Sequence, residues 1–439
     1  MTEQLKLKLN DSKATRWGAL VIVAFTMMAA YYVNDVVAPL KTMLETDLAW
    51  SSTDFGFFTG GYSFLNVFFL MLIWGGLILD RFGIRFTGKL ATILMVGGTA
   101  LEYYAMTGLA GADATLFGIN EIFGYKTGVF VAFAGYSIFG VGAEVAGITV
   151  SKIIAKWFKG NELATARGVQ VALARIGSQA GYAVAIPLAR AFGISTPVLL
   201  GLVLLLGGMI AFFIFAVMDK KLDKQMEAAA IAAGTEDEEE KFSFKDVKNI
   251  LVNPGFWLIA LLCVLFYSCV FPFQKFASEL MIIKYGINEN VAGTFAGLPA
   301  LGALILTPVF GGFIDKRGKS ASIMLLGSAM LICVHFIYAI PDINYWLVAI
   351  VLMIILGIAF SLVPSAMWPA VAKIFPVSQL GTAYALIFFI QNIGLWGIPT
   401  LIGWVLDAYC ISGKKPDGTN MYDYTVPMCI FPGIACLSL

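Results

Sequence analysis

The chain has 439 residues, 59% of them hydrophobic and only 13% charged, with a net charge of +1. Soluble domains carry about 25% charged residues, so this composition excludes water as the main solvent. A mean hydropathy of +0.84 points to a chain that lives in lipid.

A membrane span needs about 20 mostly apolar residues, and the chain has room for twelve joined by short links. The N-terminus is polar and charged through Arg16, and no cleavable signal peptide is visible. Spans are expected over Trp17–Leu40, Ser52–Leu79, Phe86–Leu109, Val129–Trp157, Leu163–Phe192 and Thr196–Met218. After a polar link come Pro254–Phe276, Asn290–Ile314, Ser320–Ile340, Asn344–Phe375, Ser378–Leu406 and a segment from Val426. That last segment ends at Leu439, too soon for a full span, so a truncated final helix is expected. Ser51-Ser52-Thr53-Asp54 and Ser378 carry helix-starting cap chemistry. The seventh span is expected to break at Phe271-Pro272-Phe273.

These spans divide the chain into bundles at 1–218 and 254–439 with a connector at 219–253. The connector carries the acidic run Glu236-Asp237-Glu238-Glu239-Glu240 and reads as a solvated, partly helical link. With the N-terminus inside, the inner segments hold 21 of the 29 Lys and Arg. That bias places both termini in the cytoplasm. The outer loops then hold Lys41, Lys126, Arg190, Lys275, Lys284, Lys414 and Lys415.

Two short stretches in opposite halves repeat one pattern. Gly75-Gly76-Leu77-Ile78-Leu79-Asp80-Arg81-Phe82-Gly83-Ile84-Arg85 is echoed by Gly311-Gly312-Phe313-Ile314-Asp315-Lys316-Arg317-Gly318-Lys319. Each closes an apolar run with small residues, an acid, basic residues and a turn glycine. One copy reads as a tight turn obeying the positive-inside rule. Two copies at matching places indicate an internally repeated transporter.

An ionisable group costs about 2.5–3.5 kcal/mol at a helix centre on the insertion scale, so it faces a cavity or a partner. Five lie within spans: Asp35, Glu102, Glu144, Arg175 and His335. Asp35 and Glu102 sit near outer ends, Glu102 reading as an interfacial group, and His335 reads as a packing histidine. Glu144 lies mid-span behind Gly140, Gly142 and Ala143, small residues that let helices approach. Arg175 shares a face with Val171, Ser178, Gln179 and Tyr182. Glu144 and Arg175 either bind a solute or neutralise each other as a structural pair. The second half offers Tyr267, Ser361, Pro364, Ser365, Trp368, Gln391, Asn392 and Trp396, aromatics beside amides that suit an amphiphilic solute. None of the six cysteines shows CxxC spacing, so neither metal nor a disulfide framework is expected. Cys410 and Cys429 share the last outer region, with nothing to favour a bridge.

The duplicated loops resemble the signature loop of the major facilitator superfamily. Further strings are similar to the branch holding the lysosomal dipeptide uniporter and its bacterial relatives. They are Tyr31-Tyr32 with Asp35, Tyr62-Ser63 with Asn66, Trp157-Phe158-Lys159-Gly160 with Glu162-Leu163, and Ala174-Arg175-Ile176-Gly177-Ser178. To these add Phe271-Pro272-Phe273 and Gln379-Leu380-Gly381-Thr382-Ala383-Tyr384 with Gln391-Asn392. The resemblance implies an all-α membrane protein of the major facilitator fold, twelve helices in two six-helix bundles. It implies a secondary transporter, not an enzyme, moving dipeptides or similar zwitterions by alternating access, as a uniporter. The alternative is proton-coupled transport of an organic anion.

The same resemblance implies substrate contacts from Glu144 and Arg175. To these the reading adds Tyr32, Asp35, Asn66, Gln179, Tyr267, Phe273, Trp368, Gln391 and Asn392. Asp80, Arg81 and Arg85 would be gating residues, and their repeats Asp315 and Arg317 likewise. There the acid pairs with basic residues and with a helix of the other half to lock the outward-open state. The expected partners are a small-molecule solute and the bilayer, with no nucleic acid, cofactor or metal, and the expected state is a monomer. No acidic dileucine signal precedes Arg16 and no Asn-x-Ser/Thr site lies in an outer loop, which favours a prokaryotic plasma membrane over a lysosomal address. A non-transporting receptor whose central link binds partners is the rival from another class.

Overall fold

The computed structural model describes residues 8–111, 114–158, 162–233 and 244–439. In the first half, α1 (Lys13–Val36) leads through a 3-10 turn at Ala38–Leu40 into the short α2 (Lys41–Asp47). Then come α3 (Ser52–Phe68), α4 (Met71–Thr107), α5 (Thr127–Trp157), α6 (Leu163–Phe192) and α7 (Thr196–Ala233). The second half holds α8 (Phe244–Val252), α9 (Pro254–Ile283), α10 (Glu289–Ala296), α11 (Leu298–Arg317), α12 (Ser320–Ala339), α13 (Trp346–Ile374), α14 (Val377–Tyr409) and α15 (Thr425–Ser438). Two antiparallel hairpins, β1 (Glu121–Ile122) with β2 (Tyr125–Lys126) and β3 (Ile411–Lys414) with β4 (Asn420–Tyr422), lie at one end of the helices. We call that end the hairpin side, and the end carrying Gly83 and α8 the linker side.

Local chemistry sets the helix ends. Ser51 and Asp54 form a reciprocal capping box that starts α3, satisfying two orphan N–H groups at once. Gly83, at φ 73° and ψ 175°, breaks the helical path inside α4, a conformation that glycine adopts without a Cβ penalty. The second span thus runs through α3 into the first part of α4, and the third follows Gly83. The second span is itself bent by 58° between Phe68 and Met71, where Leu70 takes a φ of 54°. The eighth span is divided between α10 and α11 at Gly297. With each divided span counted once, the described residues form eleven long helical segments and the short α15, a number consistent with a twelve-helix fold.

Three sequence expectations change. The seventh span does not break: α9 continues through Pro272 to Ile283. Prolines survive in spans where neighbouring groups re-satisfy the freed backbone. The start of α14 falls at Val377 behind Pro376 rather than at a Ser378 cap. The sixth span extends as helix to Ala233, so the connector is helical in its described parts, while the run Glu236–Glu240 lies outside the described residues. All six cysteines are free.

The two halves meet most closely where α3 crosses α14. A Cβ at Gly56 would lie 2.5 Å from the Pro399 carbonyl oxygen and 3.0 Å from the Gly403 Cα. In lipid no hydrophobic force joins helices, so such backbone-level packing through small residues holds the contact.

Candidate functional site

Small residues build the centre of the first half. Gly140 packs against the Tyr62 backbone, and Gly142 against the Ala91 carbonyl and Met95. This lets α3 and α4 close on α5, and the Tyr62 hydroxyl then donates to Glu144 Oε1 at 3.1 Å. On the neighbouring helix Gly177 packs on the Met28 backbone, drawing α6 onto α1. The Arg175 guanidinium consequently lies 5.7 Å from the Tyr31 ring centroid and 4.8 Å from that of Phe360, which belongs to α13 of the other half. Tyr31 lies within electrostatic range of both Glu144 and Arg175. No ion pair within 4.0 Å joins those two charges among the described residues.

Facing them, the second half presents an aromatic wall. Trp368 Nε1 donates to the Tyr267 hydroxyl at 3.2 Å, and its ring stacks on Phe388 at 4.9 Å. Tyr267 stacks on Phe271 at 5.4 Å and meets the edge of Phe360 at 6.1 Å. Phe360 therefore links this wall to Arg175. The arrangement sets an acid, a guanidinium and several rings around one zone. Cation–π contacts hold the guanidinium at about 0.5–2 kcal/mol each while leaving its N–H fork available for an anion.

The other candidates sit elsewhere. Tyr32 donates to the Pro197 carbonyl at 3.2 Å, holding α1 to the start of α7. Asn66 is buried with neither side-chain polar atom partnered. Gln179 donates to the Thr294 carbonyl of α10 at 3.3 Å, a contact between halves. Gln391 accepts from the Cys263 thiol at 3.8 Å. Asn392 donates to the Phe388 carbonyl at 2.9 Å. Phe273 packs against His335 at 4.9 Å and Phe431 at 5.6 Å, inside the second half, and His335 is a buried packing group there.

Asp35 belongs to the hairpin side. Lys275 of α9 reaches its Oδ1 at 3.2 Å, the Asn34 carbonyl at 2.5 Å and the Tyr136 hydroxyl at 3.4 Å. Lys275, counted from sequence as a loop cation, is therefore buried inside a helix. Glu102, read as interfacial, is 0% exposed. Nearby, Lys41 lies 2.5 Å from both Glu45 and Glu279, the latter on α9. Tyr424 donates to Glu279, and Lys415 of the β3–β4 connection lies 4.0 Å from each carboxylate. Thr53 N donates to Asp407 at 2.6 Å, and Arg190 pairs with Glu289. These hydrogen bonds and ion pairs seal the two halves together at the hairpin side. Sequence reasoning missed the cluster; the i,i+4 spacing of Lys41 and Glu45 was the one signal available.

On the linker side each copy of the duplicated motif makes its described contacts within its own half. Asp80 pairs with Lys152 at 3.2 Å. Arg85 meets Asp219 at 3.5 Å and also Asp223, while Arg81 lies over Phe82. Arg317 lies over Phe313, and the Asp315 side chain lies outside the described residues. Lys13 at 3.1 Å, Arg16 at 3.2 Å and Trp17 Nε1 at 2.9 Å converge on Glu162 at the start of α6. Hydrogen bonds from Trp17, Lys13 and Arg16 hold the Glu162 carboxyl down at about 2.

The family model for the Major Facilitator Superfamily matches residues 20–397. The chain is 29% identical over 409 residues to the lysosomal dipeptide transporter MFSD1 of Homo sapiens, covering 90% of this chain and 81% of that one. It is 33% identical over 287 residues to that of Gallus gallus, covering 62% of each. Among solved structures it superposes on the nucleoside transporter NupG with a TM-score of 0.69 at 13% identity, over 96% of this chain and 97% of that one. A bacterial homologue of the human lysosomal transporter Spinster, in an inward-facing and unoccupied conformation, gives 0.62 at 15% identity, over 91% and 84%.

Proposed function

The chain belongs to the major facilitator superfamily, and from that premise we propose that it moves dipeptides or similar small zwitterions across its membrane by alternating access, as a uniporter. The observation that carries this reading is that Glu144, held by Tyr62, and Arg175, set against Tyr31 and Phe360, form no ion pair with each other among the described residues. Two extended residues span at most about 7 Å, a reach that charges on neighbouring helices can bracket. The amine would lie against Glu144 and the carboxylate in the fork of Arg175, a charge-assisted bidentate geometry. The ring wall of Tyr267, Phe360 and Trp368 would hold side chains by apolar contact, giving broad selectivity.

The Lys and Arg bias supports a cytoplasmic linker side, with residues 1–218 and 254–439 as the rocking bodies and 219–253 between them. In that orientation the sealed hairpin side is the outer one. Counterflow in liposomes tests the reading: a panel of dipeptides, amino acids, sugars and carboxylates should show exchange with dipeptides and no requirement for a proton gradient. Exchange with organic anions that collapses without a proton gradient would replace it with the proton-coupled alternative.

A further inference from the structure

At the linker end of α4 and α7, pairing consumes some of the positive charge and leaves two lysines over. Arg85 and Lys156 meet Asp219 and Asp223, two cations on two acids. Lys89 of α4 and Lys220 of α7 meet no acid among the described residues. The one side-chain contact described for Lys89 is with the Phe213 ring, whose centroid lies 5.1 Å from Nζ.

These two lysines line one cleft of about 430 Å³, together with Phe82, Arg85, Phe86 and Val217. Helical spacing puts them there. Phe86 and Lys89 are three apart on α4, and Phe213, Val217 and Lys220 are four and three apart on α7, so each helix turns one stripe toward the cleft. Gly88 lets the two helices come this near, since a Cβ there would lie 1.9 Å from the Phe212 ring. The apolar lining is uncovered: Phe82 is 54% exposed, Phe86 51% and Val217 59%. Toward the middle of the spans the same stripes continue with Ile93 of α4 and Ile210 of α7, both exposed.

The cleft thus has unpaired cations at its linker end and an open apolar track leading into the bilayer. Basic clefts between spans at headgroup level suit anionic lipid headgroups. A soluble phosphate would answer the lysines and leave the rings uncovered. A zwitterionic lipid would cover the rings but bring its own cation to the lysines. We propose that this cleft binds an anionic glycerophospholipid from the leaflet at the linker side, its phosphate between Lys89 and Lys220 and its acyl chains along Phe86, Ile93, Ile210 and Val217. Arg85, already held by Asp219 and Asp223, forms the rim. The site is independent of which solute the protein carries.

The test uses the full chain, stripped of lipid in an uncharged detergent. It is titrated with phosphatidylglycerol, phosphatidylcholine or soluble glycerol phosphate, and bound molecules are counted by native mass spectrometry. One phosphatidylglycerol should be held roughly tenfold more tightly than phosphatidylcholine. Lys89→Gln with Lys220→Gln should abolish that preference and leave phosphatidylcholine binding unchanged. Lys89→Arg with Lys220→Arg should keep it, which separates lost charge from a damaged fold. Lys221→Gln removes an exposed lysine outside the cleft and should change nothing. A preference that is absent in the parent, or that survives the double glutamine variant, overturns the site. So does a Lys221→Gln effect as large as that of Lys220→Gln, which would make the preference one of bulk charge. Glycerol phosphate displacing the lipid at equal concentration would make the cleft a site for free phosphate esters and overturn the lipid assignment. Each of these outcomes leaves the dipeptide reading standing, because counterflow tests that separately.

Discussion

Lys41 Nζ lies 2.5 Å from Glu279 Oε2, each side chain 1% exposed, and the two residues belong to opposite halves of the chain. Removing one partner of a buried pair costs about 3–5 kcal/mol because the other charge is left uncompensated. That cost falls only on the conformation that buries the pair. Glu279→Gln should therefore move the protein toward the open hairpin side rather than unfold it. Impermeant thiol labelling of a cysteine placed at Ser278 should rise several-fold from that side. Unchanged labelling with a lowered melting temperature would make the pair a plain stability element.

The glycine seam should act as a mechanical stop. Gly56→Val places its Cβ 2.5 Å from the Pro399 carbonyl and adds two methyls beyond it. Overpacking of this kind costs about 1–3 kcal/mol, again in the closed state alone. Solute exchange should fall at least tenfold, with the distance between spin labels across the hairpin side lengthened. A variant that exchanges normally would show that α3 and α14 can part here without consequence.

The central charges make a prediction about chemistry. If each binds one end of a zwitterion, Glu144→Gln should lose preference for free over amine-blocked peptides. Arg175→Gln should lose preference for free over amidated ones. Because no ion pair joins them in this conformation, each single variant should keep its melting temperature within a few degrees, and the double variant should not recover uptake. Restored dipeptide exchange in the double variant would leave a structural pair and no clamp.

Asp80 is 63% exposed on its side chain, and its pairing with Lys152 is a surface contact worth about 0–1 kcal/mol. Asp80→Asn should hence leave the melting temperature almost unchanged. If Asp80 locks the outward-open state, the substitution should still raise labelling from the linker side. Equal labelling in both proteins would reduce Asp80 to a turn residue.

Glu162 gives a pH-dependent contact with a definite sign. Its carboxyl is held at about 2 in the folded chain by hydrogen bonds from Trp17, Lys13 and Arg16, against about 4.3 when unperturbed. A depressed carboxyl stabilises the fold above its unfolded value and loses that contribution as pH falls through the folded one. The melting temperatures of Glu162→Gln and the parent should differ at neutral pH and converge as pH falls from about 4 to 2. A gap that persists at the acid end would mean that the carboxylate is not what holds α1 to α6.

Local chemistry was readable at some helix ends and not at others such as Pro272 and Ser378, and long-range pairing was not. The Gly83 turn and the Ser51 cap need only their neighbours in sequence, and both appear as expected. Glu144 stood out because charge is scarce in lipid, but its partner Tyr62 lies on another helix. The aromatic company of Arg175 includes Phe360, whose approach depends on how two bundles dock. Lys275 shows the limit most plainly: near a span end it reads as a loop cation, and only the packing of α9 against α1 reveals the buried pair with Asp35. Phe273 is set by packing too: a helix that runs on through Pro272 turns it into the core, against His335 and Phe431.

The cluster at Lys41 has an electrical consequence. Two ammonium groups, Lys41 and Lys415, meet two carboxylates, Glu45 and Glu279, and Lys275 meets Asp35 one to one. With every member ionised, these two groups each sum to zero charge. A unit charge carried across the whole field would be worth about 2.3 kcal/mol per 100 mV, but a neutral assembly that forms and parts in place moves almost none. Sealing and unsealing the hairpin side should therefore proceed at the same rate in a polarised membrane as in a depolarised one.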